Sequence, residues 1–384
     1  MFLGKVIQQN KKLVDTAFSL HQQGRIEPDS YVVDVDQFLA NAKIILSTAK
    51  EKGIHLYFML KQLGRNPYLA KELVKLGYKG AVTVDFREAE VMMKHKIPLG
   101  NVGHLVQIPE GNIEKIVDYG TEVITVYSID KINSINKIAK KLNKIQGILL
   151  RVCDEEDLIY SGQTGGFLLK DLEEVTKKVL NMKNVQIKGV TSFPCYIFNE
   201  NNRQFEPTPN LCTVNKAVEI LKKIGIEPEI INTPSGSCTS TLRRMKNDGG
   251  NCAEPGHGLT GTTPASAIND MDEKISVVYI SEISHNFKGN SYCYGGGFYR
   301  RSHVQYALCG TDSKNARILE VIPPELESID YHFGLSEEAV VGETVLMAFR
   351  FQIFVTRSDV ILVKGISEGK PEIVGVFDSL GNEK

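Results

Sequence analysis

Residues 56–95 read LYFMLKQLGRNPYLAKELVKLGYKGAVTVDFREAEVMMKH, and this stretch sets the pattern for the middle of the chain. Five apolar residues, LYFML at 56–60, form a strand candidate. NPYLAKELVKLG then carries apolar residues at three- and four-residue spacing and ends on Gly, a helix signature. AVTV at 81–84 and DFREAEVMMKH repeat the strand and the helix at once. The alternation runs on through strand candidates at 102–106, 123–127, 147–152, 187–192, 229–232 and 251–253, separated by helical patterns such as SIDKINSINKIAKKLNK and LKDLEEVTKKVLN. Strands separated by helices call for a parallel sheet with helical crossovers. Eight such units, most of them about 21–25 residues apart, match the repeat of a (β/α)8 TIM barrel and favour it over an open doubly wound sheet. The two longest intervals hold CDEEDLIYSGQTGG and FPCYIFNENNRQFEPTP. Both insertions follow strand C-termini, where barrel enzymes build their sites.

Beyond Pro264 the pattern changes. KISVVYISEIS, NSYCYGGGFY, VQYALCG, ARILEVI, ETVLMAFRFQIFV and DVILVKGI are β-rich and separated by turns, which predicts an antiparallel β-domain. SYVVDVD at 30–36 precedes the barrel and is a candidate strand of that same sheet, and MFLGKVIQQNKKLVDTAFSLHQQ before it reads as an amphipathic helix. The expected division is 1–36 for this N-terminal helix and strand, 37–264 for the barrel and 265–384 for the β-domain.

Composition narrows the function classes. The 384 residues carry 45 Lys+Arg against 46 Asp+Glu, a formal net charge of −1, which lacks the electrostatic footprint of a nucleic-acid binder. No apolar run approaches the roughly 18–20 residues that a membrane-spanning helix needs. Seven scattered cysteines with no C-x-x-C pair fit buried thiols in a reducing compartment, and the eight histidines form no metal-ligand spacing. A soluble, cytoplasmic protein without a bound metal is the expectation.

Four places carry residue types suited to chemistry. Lys61 directly follows the first strand, so in a barrel it stands at the rim. Desolvation there would lower its pKa and sharpen the amine as a nucleophile, although a strand-end lysine reaching solvent reads equally well. TPSGSC at 233–238 follows the seventh strand, where barrel phosphate sites lie; Thr233, Ser235, Gly236 and Ser237 could offer backbone amides to an anion, or simply cap a helix. In AEPGHGLTG after the eighth strand, Glu254 would project into the mouth and the turn would expose the amides of Gly256 and His257, unless Glu254 is a solvated turn residue. In GNSYCYGGGFYRR, Tyr294 precedes three glycines that permit close backbone approach, an arrangement that also serves as a plain turn anchor.

Taken together these motifs resemble the alanine-racemase-like, fold type III group of pyridoxal-phosphate enzymes, in its YhfX-like branch. The resemblance spans about 30 to 360 as a patchwork: YVVDVDQFLANAK, Lys61, the E-P-G-H turn at 254–257, NSYCYGGGFY and VVGETVLM. It implies pyridoxal 5′-phosphate bound through Lys61, with Arg65, Ser192, the 233–237 loop, Glu254, Gly256 and His257 around it. It implies Tyr294 as a second base that reaches into the partner's site in a homodimer, and a small amino acid as substrate. ALCGTDS is similar to a stretch that borders the substrate carboxylate, which makes Cys309, Thr311 and Asp312 substrate-side candidates.

Three departures bear on the reaction. Glu254 stands where alanine racemases place an arginine, and AEPGH is closer to the E-P-G-R of decarboxylases on the same fold. Arg65 replaces a phosphate-binding tyrosine, which a cation can do by charge-assisted hydrogen bonds. The arginine that helps to hold the substrate carboxylate should fall near GQTGG and is absent there. A ring-stacking histidine is also missing from 191–196, where Phe193 or Cys195 stands instead. The resemblance implies a racemase that inverts Cα between Lys61 and Tyr294, on a substrate other than alanine. The alternatives are a decarboxylase or other Cα lyase, and a non-catalytic pyridoxal-phosphate carrier or regulatory protein.

Overall fold

The computed structural model describes residues 2–325 and 327–384; Met1 and Leu326, within the stretches read as the N-terminal helix and the β-domain, lie outside the described residues. The chain forms two compact units. One comprises residues 44–60 and 70–256; the other comprises the chain up to Lys43, residues 61–69 and everything from His257 onward.

The first unit is a parallel barrel. Its strands are β1 (His55–Leu56), β2 (Ala81–Val82), β3 (Leu99–Val102), β4 (Val123–Val126), β5 (Gln146–Cys153), β6 (Val185–Thr191), β7 (Ile230–Asn232) and β8 (Cys252–Ala253). They pair in the order β1-β8-β7-β6-β5-β4-β3-β2, and a parallel bridge between Phe58 and Ala81 joins the two ends of that path. Tyr57, Met59, Val82, Val123, Leu149, Ile230 and Cys252 fill the interior with one apolar cluster. Helices Pro67–Leu76, Phe86–Lys94, Ile113–Tyr119, Ile129–Lys141, Leu172–Leu180 and Pro209–Lys223 fall where the three- and four-residue periodicity places them.

Two strands are shorter than their apolar runs suggest. LYFML pairs only at His55–Leu56 and at the Phe58 bridge. VGHLV holds the end of a strand and not a whole one: β3 stops at Val102 because Gly103 takes φ +90°, and the Gln107 amide caps the carbonyls of Gly103 and Thr125 at 2.7 and 2.9 Å. Of the long insertions, one returns Phe167–Leu168 to the end of β5 and the other is a hairpin of Tyr196–Asn199 with Gln204–Pro207.

In the second unit, Val277–Phe287 pairs with both Asn290–Tyr294 and Thr344–Met347. The path continues through Tyr306–Gly310, Arg317–Ile322 and His332–Leu335 back to Asn290–Tyr294, closing an antiparallel barrel of six strands. Ser30–Asp34 adds to it, antiparallel to Val277–Ile280 and parallel to Asp359–Val363. The N-terminal stretch is two helices, Leu3–Gln9 and Lys11–Gln22, and not one. Asn10 breaks it: its side chain accepts from Leu13 N at 3.2 Å and donates to Asp34 Oδ2 at 3.0 Å. Both helices bury Leu3, Val6, Leu13, Val14 and Phe18 against the sheet residues Val278, Ile280, Leu346 and Ile361. Among the described residues no helix is long and apolar enough to cross a membrane, and all seven cysteines are free.

Backbone contact at the barrel gives a direct test. A Cβ on Gly189 would stand 1.7 Å from the Ile230 carbonyl oxygen, a neighbour that cannot swing away, whereas one on Gly4 meets nothing within 4 Å. Gly189→Ala is expected to cost about 3 kcal/mol or more by forcing β6 from β7, and Gly4→Ala to gain about 0.5–1 kcal/mol as a helix substitution, both read by urea unfolding.

Candidate active site

The barrel unit holds a buried acid. Glu254 directly follows β8 and is 7% exposed. A carboxylate taken out of water is tolerable only with hydrogen bonds to meet it. Asn101, the third residue of β3, donates from Nδ2 to Glu254 Oε1 at 3.1 Å, and Asn232, the last residue of β7, donates to the same oxygen at 2.7 Å. Thr125 on β4 donates to Asn101 Oδ1 at 2.8 Å, and Asn232 Nδ2 also reaches Thr191 Oγ1 on β6 at 3.1 Å. His104 Nε2 stands 3.7 Å from Glu254 Oε2, and its ring lies edge-on to Phe193 at 5.8 Å, with Tyr160 at 5.8 Å from the same phenyl ring.

The turn after β7 has the chemistry of an anion cradle. Ser235 and Gly236 adopt φ of +95° and +61°, and a Cβ on Gly236 would strike the Phe205 ring at 2.7 Å. Among the described residues no backbone carbonyl accepts from the amides of Ser235, Gly236 or Ser237, and successive amides turned out of such a bend can form an anion-binding nest. Two side chains of this group have other tasks. The Ser237 hydroxyl accepts from Glu254 N at 3.3 Å, and Thr233 Oγ1 is buried close to Gly250. The Ser192 hydroxyl accepts from Asn210 Nδ2 at 3.1 Å.

Arg151 was not anticipated. It is 2% exposed, donating to Tyr127 Oη at 2.5 Å and to the Gln163 carbonyl at 2.7 Å, and Tyr127 in turn donates to the His104 carbonyl. Arg151 thereby reaches the GQTGG loop from β5.

In the second unit Lys61 opens a short 3-10 turn, Lys61–Leu63, and Arg65 takes φ +59° with its guanidinium 5.5 Å from the centre of the Phe354 ring. His257 is hydrogen-bonded at Nδ1 to Thr262 Oγ1 at 3.0 Å and at Nε2 to Gln352 Nε2 at 3.2 Å, with its ring edge-on to Phe351. Burial, reinforced by the cations of Arg350 and Lys61, drives its pKa well below the ordinary imidazole range, so the ring is neutral near pH 7.

Tyr294 ends its strand opposite His332 and is 41% exposed, with its carbonyl fixed by Ser281 Oγ at 2.6 Å. The glycines that follow are packed on an acidic pair. Asp330 accepts from the amides of Gly296 and Phe298, both at 3.0 Å, while Asp29 accepts from Tyr279 Oη at 2.9 Å and from Ser358 Oγ. A Cβ on Gly296 would lie 1.8 Å from Asp29 Oδ2. The substrate-side trio, by contrast, does not gather. Cys309 is buried with its thiol 3.5 Å from Glu343 Oε2, and burial pushes that thiol up to about 12. Thr311 is exposed, and Asp312 folds back onto the amides of Lys314 and Asn315 at 2.9 and 3.0 Å. A strand residue facing the domain core and two residues of the following turn point to different surroundings.

Against known families, residues 33–264 match the alanine racemase N-terminal domain and residues 278–373 the YhfX-like C-terminal domain. The chain is 47% identical to the Escherichia coli K12 protein YhfX over 384 residues, covering 100% of this chain and 99% of that one. The chain belongs to the alanine-racemase-like family, in its YhfX branch. A more distant relative of this branch is the ornithine racemase of Acetoanaerobium sticklandii, 27% identical over 168 residues, which are 43% of this chain and 44% of that one. Among solved structures, the alanine racemase of Clostridium difficile 630 in complex with cycloserine superposes with a TM-score of 0.66, covering 92% of this chain and 99% of that one. At 14% identity this likeness establishes the fold.

Burial and the neighbouring Asp330 charge raise the Asp29 carboxyl to about 6, with Tyr279, Ser358 and Arg357 opposing the rise. Its ordinary value is 3.8, so between pH 4 and 6 the unfolded chain gives up this proton while the folded chain retains it. Stability therefore falls as pH rises through that window, by about 2 kcal/mol at most for a partly exposed group. Melting temperatures measured from pH 4 to 7 should show this slope in the native protein and lose that share of it in Asp29→Asn.

Proposed function

We propose that the protein is a pyridoxal-phosphate-dependent amino-acid racemase that inverts Cα with Lys61 and Tyr294 as its two bases, on a substrate other than alanine. The observation that carries the cofactor is the pairing, within one barrel, of amide donors after β7 with a buried carboxylate after β8. These two features fit the two ends of pyridoxal phosphate. The amides of Ser235, Gly236 and Ser237 suit its phosphate, and Glu254 suits a protonated ring nitrogen. Lys61 is the amine for covalent attachment. When bound, the cofactor withdraws electrons from Cα of an attached amino acid and so makes its proton removable.

The protein's own groups then divide the proton transfer. Lys61 serves one face of Cα and Tyr294, contributed by a second copy of the chain, serves the other; one takes the proton and the other returns one, so no atom is gained or lost. The exposed phenol at the end of a glycine-braced strand supports this role for Tyr294. Arg151 adds buried positive charge to the barrel unit, which suits an anionic substrate, and the ornithine racemase relative supports the reaction class. Glu254 favours a second reading, a decarboxylase, because a protonated ring stabilises a Cα carbanion more strongly than an arginine-facing one.

The two readings separate in deuterium oxide. A racemase incorporates one solvent deuteron at Cα and keeps the carboxylate, and Tyr294→Phe should slow that exchange by about 10²–10⁴-fold on one enantiomer. Release of CO2 at a rate matching turnover would establish the decarboxylase instead. Neither exchange nor CO2 release with any amino acid would favour a carrier.

A further inference from the structure

The segment that carries Lys61 is strained. Gly64 and Arg65 take φ of +65° and +59°, two left-handed residues in succession, and the second of them bears a side chain. Such a residue persists only where its surroundings over-determine it. Within the turn, Gly64 N donates to the Lys61 carbonyl at 3.3 Å, and Asn66 Oδ1 accepts from Leu69 N at 3.1 Å at the start of helix Pro67–Leu76. Although LYFML leads into it, the stretch 61–69 packs as part of the second unit.

Two segments of that unit meet the turn. One is 352–356, whose Phe354 ring lies 5.5 Å from the Arg65 guanidinium. The other is the turn 378–382. Its backbone approaches Gly64 so closely that a Cβ there would stand 3.3 Å from the carbonyl oxygens of Asp378 and Ser379. The two segments are tied together, since the buried Ser379 donates from Oγ to the Thr356 carbonyl at 2.7 Å.

One carboxylate stiffens the turn 378–382. Asp378 Oδ1 accepts from the amides of Leu380 and Asn382 at 2.9 and 2.8 Å, and Oδ2 accepts from Asn382 Nδ2 at 2.8 Å. Asp378 N donates to the Asn382 carbonyl at 2.8 Å, and Phe377 pairs with Glu383 beyond it. A turn that only ended the strand Glu372–Phe377 would need neither a serine bonded to another segment nor a backbone packed on Gly64.

We propose that Asp378 and Ser379 are positioning residues: they form a buttress that holds the 61–65 turn and thereby sets where the Lys61 amine stands. This rests on Lys61 as the amine that takes pyridoxal phosphate, and adds that its placement is governed from a turn far along the chain. An amine displaced by about an ångström loses about a hundredfold in rate.

The test uses the full-length protein and two readouts. One is the rate at which pyridoxal phosphate and borohydride label Lys61, followed by mass mapping. The other needs no cofactor: hydrogen–deuterium exchange of the 61–66 backbone in the protein alone. Asp378→Ala should slow labelling by about 10–10²-fold and speed that exchange by about tenfold, with the barrel strands unchanged. Asp378→Asn keeps an acceptor for both amides and should restore both readouts to within about threefold. Lys384→Ala breaks the ion pair to Asp359 at 2.7 Å but leaves the Gly64 contact, and should behave as the native protein. Ser379→Ala takes the place of Asp378→Ala should the latter fail to fold, with the same two effects expected. Native labelling and exchange in the folded variant overturn the proposal. So does faster exchange with labelling at the native rate, because the turn is then structural support alone. An unlabelled Lys61 in the native protein rejects the cofactor reading, and the exchange measurement then decides whether the buttress holds the turn.

Discussion

A carboxylate inside a barrel of eight parallel strands is costly, because the walls are apolar and water cannot reach it. Glu254 is such a group, and much of the barrel's polar patterning follows from it. Asn232 ends β7, Asn101 and Thr125 interrupt the apolar runs of β3 and β4, and Thr191 ends β6, each at a position where an aliphatic residue would pack more simply. Replacing the whole group by aliphatic residues would relieve the cost.

The second unit meets a related problem with backbone. Tyr294 stands at the end of a strand and is partly exposed, and a chain end of that kind would normally fray. Here the three following glycines are held from below, Gly295 by the Asp330 carbonyl, Gly296 by Asp29 and Gly297 by the Tyr279 ring, at distances that exclude any side chain. Tyr31 Oη donates to the Gly297 carbonyl at 2.7 Å, so the strand Ser30–Asp34 also braces this loop. The N-terminal strand thereby acts on a residue more than 260 positions away in sequence.

Periodicity and turn chemistry made the barrel legible, since each strand–helix unit leaves the same local trace and the loops end on glycine. The antiparallel character of the C-terminal region was equally plain, and the motif match singled out Lys61, Glu254 and Tyr294 as candidates. The donors around Glu254 were not legible. Asn101 lies just outside the run read as a strand, and His104 lay inside it, where a lone histidine among Val, Gly and Leu reads as core. Arg151 looked like an ordinary strand residue, because its reach to Gln163 depends on how the 154–166 loop folds back. The surroundings of the trio at 309–312 were not legible either: a short motif resemblance carries no information on which side of a strand its residues face.

The central claim is that the protein carries pyridoxal phosphate on Lys61. The most direct measurement is borohydride reduction of the purified protein mixed with pyridoxal phosphate, followed by proteolysis and mass mapping of the labelled peptide. The account predicts one reduced pyridoxal phosphate per chain, on the peptide containing Lys61, and no stoichiometric label in Lys61→Ala. Label spread over surface lysines, or an unlabelled Lys61 peptide, would contradict it.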